Sequence, residues 1–262
     1  MVSLKRPEFR STPNYGALDE ETYKAKINTP AKNPLYFERF HKPLVDRAAG
    51  ASPSGKVVLL DVACGHALEL DFFKDDLRVS LVGVDMDTAS LASASRRLPG
   101  ARFIAYDVRN APPLPLPSGF ADAGIALNAV VYVPERMLAA LEWGLKPGAE
   151  CSVNFRIYGN PFNRRFYEYY TERGAIIRDE ALIVSSGGRF WHFTLAALDY
   201  SKCDDQDIRN LAVQLYFKSK KDAEKLVALA GLEIVNVAAF HFASPVNPDN
   251  EIEVYALRKS TA

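Results

Sequence analysis

Apolar residues in this chain fall into short unbroken runs, each followed by a stretch with helical spacing, and the alternation continues from about residue 55 to residue 157. The runs predict strands over Lys56–Asp61, Val79–Asp85, Ala101–Tyr106, Ala121–Asn128 and Glu150–Ile157. Between them lie helical segments at about Ala67–Phe73, Thr88–Leu98 and Pro134–Gly144. Pro99-Gly100 stops the second helix, and Pro134 suits the first turn of the third. Lys146-Pro147-Gly148 reads as a turn. Unbroken apolar runs, rather than clean alternation, are the mark of strands buried on both faces. Strands alternating with helices imply right-handed crossovers and a parallel sheet.

The rhythm changes at both ends and once in the middle. Pro7, Pro13 and Pro30 break up residues 1 to about 30, which read as an irregular arm with a short helix at Asp19–Lys26. A helix over Leu35–Ala49 follows, with Phe37, Phe40, Leu44, Val45 and Ala48 at helical intervals. From Tyr158 to about Tyr216 the pattern gives way to dense aromatics, including Phe162, Phe166, Tyr167, Phe190, Trp191 and Phe193. That region reads as an insertion covering the mouth of the sheet. Regular structure resumes with a helix over Ser219–Ala230, a stop at Gly231, and strands over Leu232–Phe240 and Glu251–Arg258. Turn residues between Ala243 and Asn250 predict an antiparallel pairing of these two strands.

The expected fold class is therefore α/β, with a Rossmann-like, seven-stranded, mostly parallel sheet and an antiparallel C-terminal hairpin. The expected division is an N-terminal helical arm and cap helix over 1–54, then a core over 55–262 that carries the aromatic-rich insertion at about 158–216.

Composition narrows the function. The chain has 262 residues, with Lys plus Arg and Asp plus Glu equal at 32 each, so its formal net charge is zero. A nucleic-acid partner would favour a basic surface, and none is expected. No apolar run reaches the length of a membrane span, and the charged start Met1–Arg10 lacks the apolar centre of a signal peptide. The three cysteines, Cys64, Cys151 and Cys203, are odd in number and widely spaced. They point to a reducing compartment, the cytoplasm, rather than to a disulfide framework. No cysteine pair has zinc-ligand spacing and the four histidines lie far apart, so no metal site is expected.

The candidate chemistry starts after the first strand, where Asp61-Val-Ala-Cys-Gly-His-Ala67 forms a turn of mostly small residues between strand and helix. Small residues let a ligand approach the backbone, and open α/β sheets bind ligands outside the carboxyl ends of their strands. Asp85 ends the second strand about twenty residues later, the spacing at which an acid can accept hydrogen bonds from ribose hydroxyls. Asp107 ends the third strand, Asn128-Ala-Val-Val-Tyr132 follows the fourth, and Leu145-Lys-Pro-Gly148 precedes the fifth.

Taken in this order, the five motifs resemble those of class I S-adenosylmethionine methyltransferases, over roughly residues 55–157 and 217–258. The resemblance implies S-adenosylmethionine as cofactor and S-adenosylhomocysteine as product. It implies that Asp61, Ala63, Gly65 and His66 cradle the cofactor, that Asp85 holds the ribose, and that Met86 lies against the adenine. Asp107 and Val108 would meet the adenine edge, and Asn128 would line the methyl donor. Ala63 and Ala67 stand where the family pattern has its first and third glycines, and Ala67 adds a methyl group near the cofactor's methionine part. The arm and cap helix would close over the cofactor through Tyr15, Tyr23, Tyr36 and Phe37.

An aromatic, neutral insertion suits a small apolar or aromatic acceptor, methylated at O or N as in secondary metabolism. For a hydroxyl acceptor a general base helps, and His41, His192, His241 and Tyr132 are the candidates. His192 is favoured because it lies in the run Phe190-Trp191-His192-Phe193. A homodimer is left open. Two other functions compete. A protein of the same fold could bind S-adenosylmethionine without transferring its methyl group, and Ala67 keeps that reading alive. A nicotinamide oxidoreductase would need Gly-x-Gly-x-x-Gly, of which this turn offers only Gly65.

Overall fold

The computed structural model describes residues 33–204, 209, 213–243 and 250–261. The arm with Tyr15 and Tyr23, and the short helix expected at 19–26, lie outside the described residues. In chain order the strands are β1 (Val57–Val62), β2 (Val79–Asp85), β3 (Arg102–Ala105), β4 (Ala121–Ala126), β5 (Leu145–Phe155), β6 (Ile176–Ser186), β7 (Arg189–Asp199), β8 (Gln214–Phe217), β9 (Leu232–Phe242) and β10 (Asn250–Lys259). Seven of them form one sheet in the order β3-β2-β1-β4-β5-β10-β9. β1 to β5 run parallel, and β10 is antiparallel to both of its neighbours, β5 and β9. The unbroken apolar runs thus occupy the centre, and the expected antiparallel hairpin closes one edge.

The cap helix α1 begins at Pro34–Tyr36, passes through a π-helical turn at Phe37–His41, and continues as Lys42–Ala51. The other helices are α2 (Thr88–Arg97), α3 (Pro134–Gly144), α4 (Arg164–Thr171) and α5 (Lys220–Leu229). Local chemistry sets their starts. Asp87 accepts a hydrogen bond from Ala89 N at 3.0 Å, and Ser219 Oγ accepts one from Asp222 N at 3.2 Å, so each satisfies an orphan N–H of a first turn.

Both faces of the sheet are covered. On one, Leu44 and Val45 of α1, Leu91 and Ala94 of α2, and Leu59 and Ile125 of the sheet share a core cluster. On the other, α3, α5 and residues Phe193, Leu195 and Phe217 of the second sheet pack with Leu60, Val62 and Val153. That second sheet, in the order β6-β7-β8, is antiparallel throughout. Its alternation is readable: Phe193, Leu195 and Ala197 join the main core, while Ala196 and Leu198 pack with Tyr167 of α4.

Some boundaries differ from expectation for identifiable reasons. Lys146-Pro147-Gly148 lies within β5, where the pairing with β4 shifts register between Ala121 and Ala123. β4 stops at Ala126, because Asn128 takes a left-handed φ of 56° that no strand continues through. The segment after the first turn is a 3-10 helix, Leu68–Phe73, rather than an α-helix. Among the described residues, no helix is long and apolar enough to cross a membrane.

Candidate cofactor site

Leaving β1, the backbone doubles back through three left-handed residues: Ala63 (φ 59°), Gly65 (φ 51°) and Ala67 (φ 52°). Each alanine in that region costs about 1–2 kcal/mol, a strain that persists only where the surroundings impose it. Here they do. Cys64 N donates to Val84 O at 3.1 Å, and Ala67 N donates to Cys64 O at 2.7 Å. Arg97 reaches over from α2, donating to the carbonyls of His66 and Ala67 while its Nε donates to Asp71 Oδ1 at 2.5 Å. A Cβ built on Gly65 would meet nothing within 4 Å, so the turn presents open space. Its amide is not idle, since Gly65 N donates to Asp85 Oδ2 at 2.8 Å.

Asp85 therefore ties the two strand ends together. Its Oδ1 accepts from Asp87 N at 2.8 Å, and the Met86 amide also donates to this carboxylate. Burial holds its carboxyl above the usual carboxylate range. Met86, next in sequence, is 41% exposed, an apolar side chain left uncovered beside the turn. Asp107 caps the short 3-10 turn Val108–Asn110, accepts from Arg109 N at 3.0 Å, and pairs with the Arg109 guanidinium at 2.6 Å. Val108 is buried.

The other residues of the turn face inward. Ala67 is fully buried in the core cluster that holds Leu70, Phe73 and Leu91, so its methyl group packs the interior. His66 is buried too, its Nε2 3.3 Å from Ser90 Oγ. Cys64 packs where β2 passes close by: a Cβ on Gly83 would come within 2.8 Å of its Sγ. Burial pushes the Cys64 thiol well up, as suits an inert packing residue.

Beneath the turn, on the face covered by α1, is a buried polar group that sequence reasoning did not assemble. Across the sheet Asp61 stands opposite Ile125, and Ile125 opposite Ser152, so all three side chains share that face. Asp61 is fully buried, and neither of its carboxylate oxygens has a well-formed hydrogen bond. Glu69, also buried, brings its carboxyl within hydrogen-bonding reach of Asp61. From α1 come the Tyr36 hydroxyl, close to Ser152, and the His41 ring, in edge contact with Tyr36 at 5.1 Å. Tyr36 OH, His41 Nε2 and Ser152 Oγ are likewise buried without a well-formed hydrogen bond. Burial, together with the Glu69 and Asp85 charges, holds the Asp61 carboxyl well above its usual range. Burial lifts Glu69 to about 7 and lowers His41 to about 4.

Beyond the end of β4 lies the second part of the site. Asn128 N donates to Asn154 Oδ1 at 2.6 Å and Asn154 Nδ2 returns a bond to Asn128 Oδ1 at 2.9 Å, which locks the left-handed turn. Tyr132, four residues on, receives a hydrogen bond from Gln214 Nε2 at 3.2 Å. The amide oxygen of Gln214 accepts from the hydroxyls of Tyr200 and Tyr216. This chain of phenols runs into the aromatic cluster of Tyr158, Phe166, Tyr167 and Tyr170. Nothing in the spacing of Gln214 marked it as the hub.

The candidate histidines separate. On β7, alternation sends Phe190, His192 and Thr194 to the exposed side and Trp191, Phe193 and Leu195 inward. The reason for favouring His192, its aromatic neighbours in sequence, thus dissolves: those that pack into the core point away from it. His241 pairs with Glu251 at 3.2 Å beyond α1's face of the site, and its side chain is 56% exposed. His41 alone is brought under the turn.

Comparison with known proteins agrees with this geometry. The profile of a methyltransferase domain family matches residues 60–153, from within β1 to near the end of β5. This part of the chain is similar to methyltransferase domains. No curated protein matches the chain in sequence. Solved structures share the fold of this chain. An S-adenosylmethionine-dependent methyltransferase from Methanosarcina mazei superposes with a TM-score of 0.54 at 16% identity, over 79% of this chain and 94% of that one. One from Clostridium acetobutylicum gives 0.54 at 14% identity, over 90% and 94%. A [4+2]-cyclase gives 0.51 at 16% identity, over 84% and 81%.

Proposed function

We propose that this protein transfers the methyl group of S-adenosylmethionine to an oxygen or nitrogen of a small, neutral or aromatic acceptor. The observation that carries the reading is the convergence of Asp85 and the Asp61–Ala67 turn within the matched domain. The residues fit the cofactor. Asp85 keeps acceptor capacity for ribose hydroxyls, exposed Met86 and buried Val108 flank the place for the adenine, and Asp107 remains an acceptor at its edge. Gly65 leaves the approach open, and the orphaned carboxyl of Asp61 awaits a cation. Bound there, the sulfonium supplies an activated methyl group, so covalent chemistry by the protein is unnecessary.

The protein's contribution is then orientation and exclusion of water. Asn128, set by Asn154, directs the loop that carries Tyr132 toward the acceptor. Gln214 donates to the Tyr132 oxygen and fixes its position beside the phenol cluster, so Tyr132 is our candidate general base for a hydroxyl acceptor. His41 stays neutral at pH 7, but its burial beneath the cap helix suits it to the cofactor side. The phenol-lined region beyond Tyr132 favours an aromatic acceptor through edge and face contacts. The buried free cysteines Cys64, Cys151 and Cys203 support a reducing compartment such as the cytoplasm.

Incubation with methyl-labelled S-adenosylmethionine and a panel of phenols and amines tests the reading. Labelled product, with turnover of phenols but not of amines lost in Tyr132→Phe, supports it. A second reading, binding of S-adenosylmethionine without methyl transfer, is supported by the fold shared with a [4+2]-cyclase. It is weakened by the inward packing of the Ala67 methyl group. Cofactor binding with no labelled product from any acceptor would favour it.

A further inference from the structure

Arg156 follows β5 directly, at the carboxyl end of the sheet, two residues beyond the Asn154 that holds the Asn128 turn. It is half-buried where two aromatic clusters meet. Its guanidinium lies 4.0 Å from the ring centroid of Phe166, which packs with the phenols of the insertion. It lies 6.0 Å from that of Phe242, which shares a cluster with Tyr36 and Phe240. Two neutral amides fix its position: Nη1 donates to Asn163 Oδ1 at 3.1 Å and to Asn250 Oδ1 at 2.8 Å. Both asparagines are fully buried. Burial raises the phenols of Tyr167 and Tyr216, and the Arg156 charge works against that rise, so its field reaches the cluster that Gln214 joins to Tyr132.

What this charge lacks is a counter-ion. Arg97, Arg109 and Arg136, also half-buried, pair with Asp71, Asp107 and Glu135. Among the described residues Arg156 has no carboxylate within ion-pair distance, and its Nε and Nη2 make no hydrogen bond. Glu251, beside Asn250 in sequence, commits its carboxylate to His241 and Asn160. A second donor lies next to the guanidinium. Asn163 Oδ1 accepts from both Arg156 and Glu251 N, which fixes the amide, and Nδ2 of that amide is buried without a hydrogen bond. The Nε–Nη2 edge is a planar fork that matches a carboxylate. Resting on the acceptor reading above, we propose that Arg156 docks a carboxylate of the acceptor, which is therefore a small aromatic acid carrying the hydroxyl or amine to be methylated. The rings hold the acceptor by shape, and the single guanidinium fixes which end enters. Arg156 sets specificity and position, and it takes no part in making or breaking bonds.

Calorimetric titration of the full chain, saturated with S-adenosylhomocysteine, tests this with a panel of hydroxybenzoates and aminobenzoates, each beside its primary amide. The amide keeps the shape and removes the charge. The expected result is that at least one acid binds about tenfold or more tighter than its amide, and that Arg156→Gln brings the pair within about twofold of each other. Affinity for S-adenosylhomocysteine itself should be unmoved in that variant. In turnover with labelled S-adenosylmethionine, the same preference should appear in KM more than in kcat. Acids that bind no tighter than their amides, or a preference that survives Arg156→Gln, overturn the proposal while the cofactor and methyl-transfer readings stand. An Arg156-dependent preference without labelled product keeps the carboxylate subsite and removes methyl transfer from it. Failure of the folded wild type to bind S-adenosylhomocysteine overturns both. If Arg156→Gln does not fold, Asn163→Asp takes its place: it sets a carboxylate against Nη1 and should cut the preference likewise, and an intact preference there also overturns the proposal.

Discussion

On the α1 face of the sheet, Asp61, Tyr36, His41 and Ser152 are buried with polar atoms that lack a well-formed hydrogen bond among the described residues. Across the mouth, the buried hydroxyls of Tyr200 and Tyr216 meet in one amide, Gln214, which also binds Tyr132. Tyr167 OH and the Trp191 indole are the exceptions on that side. The first region carries acids whose pKa values burial has raised, and the second carries neutral phenols. The contrast teaches a division of labour. On the proposed reading a charged ligand completes the donor side, and the turn above it carries strain at Ala63 and Ala67. The acceptor side completes most of its own hydrogen bonds and offers aromatic surface, which suits a ligand recognised by shape more than by charge.

The comparison can be broken first at Asp85. Asp85→Ala removes the acceptor of Gly65 N and Asp87 N together with the proposed ribose contacts, and should weaken S-adenosylhomocysteine binding about a thousandfold, about 4 kcal/mol, by calorimetry. An effect below tenfold would show that the turn binds its ligand without this acid.

His41 gives the next largest effect, and it depends on pH. Because burial lowers His41 to about 4 while the unfolded chain has the ordinary value near 6.5, the unfolded state binds more protons between these values. Its contribution to stability is thus lost as pH falls from about 6.5 to about 4, by about 3 kcal/mol in all. The raised carboxyls of Asp61, Glu69 and Asp85 act in the opposite sense, since their preference for the protonated form is lost as pH rises. The clean readout is therefore a difference: urea unfolding of His41→Leu against wild type should show the variant gaining relative stability toward low pH. A constant difference from pH 7 to pH 4 would mean that His41 is not held neutral.

On the acceptor side, Gln214→Leu should strip the Tyr200 and Tyr216 hydroxyls of their acceptor and lower stability by about 2 kcal/mol. Cofactor affinity should stay within twofold, because the donor side is built separately. A parallel loss of affinity would collapse the distinction between the two regions. The smallest effect is expected at Ala67. Ala67→Gly relieves the left-handed strain but deletes a buried methyl group and adds freedom to the unfolded chain, so thermal unfolding should move by less than about 1 kcal/mol in equivalent free energy. Tenfold tighter binding in that variant would show that the methyl group obstructs the cofactor after all.

Much of the donor side was legible in the sequence because its signals are local. An apolar run, an acid and small residues specify strand, turn and open backbone, and Asp85 follows at a spacing fixed by one helical crossover. What escaped depends on geometry that period counting does not carry. Tyr36 and His41 are five residues apart, which puts them on different sides of an ideal α-helix. The π-helical turn at Phe37–His41 lets both face the sheet. Glu69 lies in a segment expected to be helical, and that segment is a 3-10 helix in which Glu69 is buried. His192 was misplaced for a related reason: a run of aromatics was read as one surface, while a strand sends alternate residues to opposite faces. Gln214 was invisible because its partners, Tyr132 and Tyr200, are distant in sequence.

The most direct measurement is calorimetric titration of the wild-type protein with S-adenosylmethionine, S-adenosylhomocysteine and NAD. Micromolar binding of the two S-adenosyl ligands and no binding of NAD is the predicted result. A folded protein that binds neither S-adenosyl ligand, or that prefers NAD, would contradict the account at its centre.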